Sequence, residues 1–381
     1  MKAYLIESLA PLVFRSGKPF AAQTSVSDVI FPLPSAGAGL LRAVYAEQQQ
    51  LPFNKSTSQS LLEQSTCGVL LARFGSDCQD VEILVPKPAN ALYLKGDDDQ
   101  TALVRLAPSP FDDDVHSDLP KGLTPVQITG DITTGKPQTG ASYWRLTDLL
   151  KWQNGDTLDF ASVQSGGLAN LPVENRTHVA INRHSQSAED GKLFQTASYD
   201  LGHQQENGAW ANKRLGFVVF GEQVLRDDVV TFGGERRLSN LHALDMTAPA
   251  PTAGLCQQVN ATKGFCLTLL SPAVFAHGYL PKWLDTDSKT GTLPNTDITV
   301  KLRSVAIERW QAVSGWDSLD WQPKAMRKAV CAGSVYWFEI VSGAFDDETL
   351  EQFYFKALSD DEQDRRDGFG LAVLTAYKAG D

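Results

Sequence analysis

Six histidines and five cysteines are the residues from which a metal or nucleophilic centre would be assembled, and their spacing offers little. Cys67, Cys78, Cys256, Cys266 and Cys331 lie far apart and include no C-x-x-C pair with matching histidines, so structural zinc is not expected and no metal is assigned. Glu7 and Pro11 interrupt any secretory leader, so these thiols read as reduced, buried small hydrophobes in a protein that stays in the cytoplasm. His178 is the one candidate general base, of the kind that RNA cleavage needs, although the first residue of a strand also has structural uses. The runs Asp97–Asp99 and Asp112–Asp114 lack the glycine turn and the later bidentate glutamate of a calcium loop, and read as solvated acidic surface. GDITTGKP (130–137) approaches a phosphate-binding P-loop, but Pro137 stands where a hydroxyl must meet magnesium and has no N–H to donate. GAGLLR (37–42) lacks the third glycine of a dinucleotide fingerprint and follows prolines instead of a strand. There is neither a G-x-S-x-G elbow nor an H-E-x-x-H pair, so no cofactor and no catalytic residue are assigned.

What remains is the chemistry of binding. In FGGERRL (232–238), Gly233 and Gly234 let backbone N–H groups approach a phosphate, with Arg236 and Arg237 beside them. RRDGFGLAV (365–373) resembles the RNA-recognition signature in which a basic residue precedes G-F-G and a strand, although Asp367 intervenes and a glycine helix cap reads equally well. RLGFVVF (214–220) imitates the same pattern, which shows how cheaply it arises. HVAINRHSQSAEDGKLFQTASY (178–199) reads as a projecting arm: Val179, Ile181, Leu193 and Phe194 form an apolar base, while Arg183, His184 and Lys192 reach outward. A formal charge of −11 argues against indiscriminate nucleic-acid binding. The acids concentrate in 97–118 and 346–364, however, leaving basic islands at 176–183, 213–214, 236–237 and 324–328 that could line a groove.

The elements that must carry these residues are mixed. AYLIE opens as a strand, and Ser35 is placed to cap a helix whose Leu40, Leu41, Val44 and Tyr45 share a face. LLARF, VEILVP and ALYLK read as strands, an acidic and proline-rich surface insertion follows over about 95–140, and WRLTDLLKWQNG reads as a helix ended by Asn154 and Gly155. Beyond 170, strand patterns dominate, joined by one expected helix over DDETLEQFYFKALS. Strand, helix, glycine loop and strand make half of a split β-α-β unit, so a ferredoxin-like, RNA-recognition-type sheet is expected in the C-terminal half. At 381 residues two domains are expected, 1–170 and 171–381, with the arm at 178–199 and the glycine loop at 365–371. No apolar run approaches the ~20 residues of a membrane helix.

Taken in order, these segments resemble the RAMP superfamily of CRISPR effector proteins, specifically subunit three of the type III-B Cmr complex. FRSGKPF resembles the family's FRDGRPF, PSAGAGLLRA its proline-led first helix, EILVPKPANALYL its P-x-P-A-D segment, and FGGERRL its GGE element. LLSPAVFAHGYLP, SGWDSLDWQPKAMRKAVCAGSVYWFEI and GFGLAV follow the family's final third. Ser16, Asn90, Asn182 and Cys331 depart from the family pattern. The resemblance implies an α+β protein of two ferredoxin-like domains with insertions and a β-hairpin arm. It implies a noncatalytic subunit that binds the 5′ handle of CRISPR RNA, lies near the target RNA duplex, and joins the large polymerase-like subunit to a backbone RAMP subunit. Carried over by position, the RNA-binding set is Gly37, Gly39 and Arg42; His178, Arg183 and Lys192; Gly233, Gly234, Arg236 and Arg237; Lys324 and Arg327; Gly368 and Gly370. An endoribonuclease that processes precursor RNA through His178 is the alternative. A metal-dependent RNase is disfavoured because Asn182 occupies the place where a carboxylate would be wanted.

Overall fold

The computed structural model describes residues 1–15, 29–78, 80–96, 100–111, 114–129, 135–202, 212–317 and 320–378. Readings that touch 16–20, the Asp97–Asp99 run, Asp112, Asp113 and the first five positions of GDITTGKP lie outside them.

Strand β1 (Lys2–Ser8) buries Ala3, Tyr4, Leu5 and Ile6 in succession, the pattern of a strand covered on both faces. Helices α1 (Pro34–Gln48) and α2 (Lys55–Leu62) carry the chain over to β2 (Thr66–Phe74) and β3 (Val81–Pro86). The N-cap of α1 is Leu33, not Ser35. Pro34 starts the helix instead, because its fixed φ is already helical and its missing N–H is one the first turn does not use.

Strand β4 (Ala91–Lys95), expected from ALYLK, joins β5 (Thr101–Pro108), β6 (Val126–Thr129) and β7 (Lys136–Pro137) in a four-stranded sheet, so the acidic insertion contributes three strands that its composition concealed. Arg105 pins this sheet to the next helix. Its guanidinium lies 3.8 Å from the Trp152 ring centroid and donates to the Trp152 and Asp156 carbonyls. Burial pulls its pKa down to about 10. Strand β8 (Tyr143–Arg145) runs into α3 (Leu146–Gln153), which ends at Asn154 and Gly155 as its sequence predicts, and α4 (Phe160–Gly166) follows.

Strands β9 (Val173–Ile181) and β10 (Ala188–Tyr199) make a separate two-stranded antiparallel arm. The chain then returns through β11 (Arg214–Gly221), β12 (Asp228–Thr231) and β13 (Leu238–Leu244) to complete a seven-stranded sheet in the order β12-β13-β1-β11-β2-β3-β8. The first sheet therefore takes strands from both sides of residue 170.

Helix α5 (Leu255–Thr262) leads to β14 (Gly264–Leu269), β15 (Thr290–Thr292) and β16 (Thr299–Ala306). An extended hairpin of β17 (Trp310–Val313), β18 (Trp316–Asp317), β19 (Gln322–Pro323) and β20 (Arg327–Val330) precedes β21 (Val335–Ser342). Then come α6 (Asp347–Glu351), β22 (Lys356–Ala357), α7 (Glu362–Arg366) and β23 (Leu371–Ala376). The helix expected over 346–359 stops after α6. Phe353, Tyr354 and Phe355 are all buried, and three consecutive aromatics cannot share one helical face, so the chain leaves the helix and Phe355 adopts φ +53.

The second sheet runs β15-β16-β21-β14-β23-β22. Its central order β23-β14-β21-β16 matches β13-β1-β11-β2 of the first sheet, with every neighbour antiparallel. The first unit has α1 on its early crossover and only β12 between its last two strands. The second has α6 and α7 between its last two, while its early crossover, residues 270–298, is built of turns and β15. No helix among the described residues is long and apolar enough to cross a membrane.

One continuous apolar cluster joins the sheets: Leu5, Val218 and Phe220 of the first share it with Phe265, Leu267 and Leu374 of the second. The Phe220 and Phe355 rings meet edge to face at 5.3 Å. Polar contacts then fix how the units meet. Arg42 of α1 pairs with Asp367 just past α7 at 2.6 Å, both side chains 8% exposed, and also donates to the Gln64 carbonyl at 2.8 Å. Within the second unit, Arg327 of β20 grips Asp364 through two 2.6 Å hydrogen bonds and so steadies α7 just before Asp367. A Cβ on Gly368 would stand 2.9 Å from the Gly68 carbonyl oxygen, and φ there is +90, so only glycine permits this backbone approach.

Removing Arg42 would leave a buried carboxylate and carbonyl acceptors without their donor. Arg42→Ala is expected to lower unfolding free energy by about 3 kcal/mol, measured from the urea midpoint and slope; a loss under about 1 kcal/mol would show the pair to be dispensable.

Candidate nucleic-acid interface

The sequence-predicted residues do not form one trough. One group lies on the arm and the GGE turn and faces solvent, a second is closed, and Gly39, Lys324 and Arg327 are exposed apart from both.

The first group is built on the chain segment after β1. Leu12 exchanges two 2.8 Å backbone hydrogen bonds with Tyr199 at the base of the arm, and the next carbonyl, that of Val13, accepts the Gly234 N–H at 2.7 Å. Consecutive residues thus knit the arm to the turn between β12 and β13. A Cβ on Gly233 would stand 2.7 Å from the Val13 oxygen, and its φ is +78, so the glycine is required by this approach. Glu235 and Arg236 follow with φ +60 and +52, which turns the chain and leaves both exposed. Phe14 and Phe232 anchor the turn from below, with ring centroids 5.0 Å apart. Arg15 and Arg237 hold the Glu235 carboxylate at 2.9 and 2.8 Å. Arg176 on the arm, bidentate to Glu174, feels the Glu235 charge as well, so arm and turn share one electrostatic surface.

On the arm, His178 stacks on Phe194 with centroids 5.1 Å apart, and its Nε2 lies 2.9 Å from the Thr196 hydroxyl. Its ring is held by an aromatic and a hydroxyl, with no carboxylate among these partners to tune it as a base. The opposite face carries Val179, Ile181 and Leu193, which are 40%, 51% and 64% exposed. This corrects the expected apolar base. The anchor is instead Tyr199, fully packed and with its phenol pushed up to about 12 by burial. The arm therefore displays an apolar strip on one face and His178 with Arg176 on the other. At its tip, Asn182 accepts from the His184 and Ser185 N–H groups at 2.9 and 3.1 Å, closing the turn that displays Arg183. Lys192 pairs with Glu189, whereas Arg183 and Arg236 make no ion pair among the described residues.

The second group is closed. Arg42 is spent on Asp367 and cannot serve a ligand; Gly37 is packed against Val69 and Val219; Gly368 presses on the Gly68 backbone where the units meet, and Gly370 on the Ser359 backbone within the second unit. These four were expected to contact RNA from their types alone. Burial decides the matter, and for Arg42 and Gly368 it depends on partners some 300 residues away that leave no local trace. Arg327 is half exposed but engaged with Asp364, and the hydrogen bonds it donates to that carboxylate hold its pKa above the ordinary arginine value. Gly39 and Lys324 are exposed.

One exposed patch was missed. On the hairpin between β16 and β21, Trp316 and Trp321 meet edge to face at 5.6 Å, 51% and 77% exposed, and the Lys328 ammonium sits 5.2 Å from the Trp310 ring centroid. The available signal was three tryptophans within an otherwise polar stretch. Aromatic faces with adjacent cations can stack unpaired bases.

Comparison with known proteins bears on the whole chain. The family described as CRISPR-associated protein (Cas_Cmr3) matches residues 4–376. No curated protein matches. Among solved structures, the chain is similar to a chain of a type III-B Cmr-beta complex bound to cognate target RNA, at 16% identity and TM-score 0.48, covering 88% of this chain and 86% of that one. The same complex bound to cognate target RNA and AMPPnP gives 18% identity and TM-score 0.47 over the same shares.

The arm's two faces make opposite demands on stability. Val179→Ser with Leu193→Ser is expected to change unfolding free energy by less than about 0.5 kcal/mol per site, while Tyr199→Ala costs about 3 kcal/mol. Urea unfolding of both variants checks this, and a large loss in the double variant would contradict the exposure of the strip.

Proposed function

The chain belongs to the CRISPR-associated Cmr3 family, and on that premise we propose that it is a noncatalytic subunit of a type III-B effector that grips the 5′ handle of CRISPR RNA. In this reading it works in the cytoplasm, lies beside the guide–target duplex, and joins the large polymerase-like subunit to a backbone RAMP subunit. Its two sheets are read as ferredoxin-like units, divided by sheet membership near 245–254 instead of at 170.

The observation that supports the reading is the convergence of the arm's base and the GGE turn on Leu12 and Val13, with Arg236 exposed on the turn and Arg183 exposed at the arm's tip in an otherwise acidic protein. Counterions released from a few phosphates give such a surface its affinity, and the backbone N–H groups of a glycine turn give it direction. The apolar strip of the arm suits wedging beside stacked bases or seating on a neighbouring subunit, since a leucine 64% exposed on a two-stranded arm is costly to leave in water. Specificity for a handle would come from splayed bases, for which the hairpin tryptophans offer stacking faces.

Arg183→Ala with Arg236→Ala is expected to weaken handle binding about tenfold at ~0.1 M salt and to flatten the salt dependence by one to two phosphates' worth. Filter binding across a salt series reads both, and unchanged affinity would remove this surface from the site. The His178 endoribonuclease is separated by incubating the protein with repeat-containing precursor RNA without metal. No cleavage is expected; cleavage abolished by His178→Ala would overturn the noncatalytic reading.

A further inference from the structure

We propose that Glu7, Cys78 and His242 form a binding site for a zinc-class divalent transition metal, away from the arm and its basic turn. The three side chains come from β1, from the turn after β2 and from β13, and their Oε, Sγ and ring-nitrogen atoms all lie within 4.8 Å of one another. Folding thus assembles what the scattered cysteines and histidines gave no reason to expect.

Each ligand is already oriented as a metal ligand needs to be. His242 turns Nε2 toward Glu7 Oε2 at 2.9 Å, while its Nδ1 faces Asp227 Oδ2 at 3.6 Å. Asp227 is itself fixed by the Ala243 N–H at 2.8 Å. A carboxylate behind the distal imidazole nitrogen is the arrangement that sets the tautomer of a ligating histidine. The other oxygen of Glu7 is held by Arg214, and Asn240 donates to Oε2 at 3.1 Å, so Glu7 is positioned for one-oxygen ligation with its second oxygen neutralised. Cys78 is presented by the tight turn in which Gly75 accepts its N–H, with φ +58.

The donor set selects the ion. Thiolate, imidazole and a single carboxylate oxygen suit zinc and its neighbours and not magnesium or calcium, which want oxygen throughout. Tetrahedral bonds of the usual length separate ligand atoms by about 3.3–3.6 Å, so the 2.9 Å hydrogen bond opens by about half an ångström and the Asn240 contact lengthens. Binding displaces the thiol proton, and the Cys78 thiolate with the Glu7 and Asp227 carboxylates then balances the dication together with the Arg214 guanidinium. Three protein ligands leave a fourth position for water or a donor from a neighbouring molecule. The glutamate and histidine side chains are 12% and 25% exposed, which leaves an entry path.

The test is a cobalt(II) titration of the purified, chelator-treated full chain, followed by optical spectroscopy. One equivalent is expected to bind with a near-ultraviolet thiolate-to-cobalt band and tetrahedral visible bands, both erased by added zinc. Cys78→Ser abolishes the near-ultraviolet band, and Asp227→Asn, which alters no ligand, weakens binding 10- to 100-fold. Because Cys78→Ser lies on a surface turn, its circular dichroism spectrum stays that of the parent. Absence of stoichiometric binding, or a thiolate band that survives in Cys78→Ser, overturns the proposal.

Discussion

A buried ion pair, Arg42 with Asp367, decides how the two halves of this molecule meet. Two charges withdrawn from water at 2.6 Å need further polar partners; Arg42 also donates to the Gln64 carbonyl and the Gln363 amide donates to Asp367, while Arg42 Nε stays buried without a partner. The pair lies where α1 of the first unit, the start of β2 and the segment after α7 converge, so it fixes register between units already joined by a shared apolar core. Apolar contact alone would let the two sheets slide. The Gly68–Gly368 approach removes that freedom, and the Arg327–Asp364 fork, internal to the second unit, steadies the helix just before Asp367.

Fixing the junction has a consequence for function. The residues that look most like a phosphate cradle, the helix-start glycine, Arg42 and the G-F-G loop, are consumed in holding the protein together, so the proposed RNA contacts rest on the outer surface. There the construction is different in kind: a two-stranded arm with few buried contacts, tied at its base by Tyr199, and a left-handed turn at 235–236 tied to Val13. Rigid attachment and an adaptable tip suit recognition of a polyanion whose bases must be splayed.

Much of the fold was legible because local pattern and final environment agree. AYLIE, RLGFVVFG, FCLTLLS and LAVLTAY are strands, α3 stops at Asn154 and Gly155, and the arm lies where polar residues interrupt an apolar alternation. The failures have physical causes. Phe353–Phe355 broke a helix that periodicity favoured, since burial of all three outweighs intrinsic preference. Apolar alternation alone reads Val179 and Leu193 as buried, yet β9 and β10, on which they sit, pair only with each other. Arg42 and Arg236 read alike in sequence; one is sealed and the other exposed because of partners that sequence proximity does not reveal.

The central claim is that RNA contacts the arm and the GGE turn while the arginine-sealed junction stays closed. Hydrogen–deuterium exchange of the protein with and without a handle-bearing CRISPR RNA tests it most directly. The account predicts new protection over 176–196 and 232–237 and unchanged exchange over 364–371. Protection concentrated at 364–371 and the start of α1, with the arm unaffected, would contradict it.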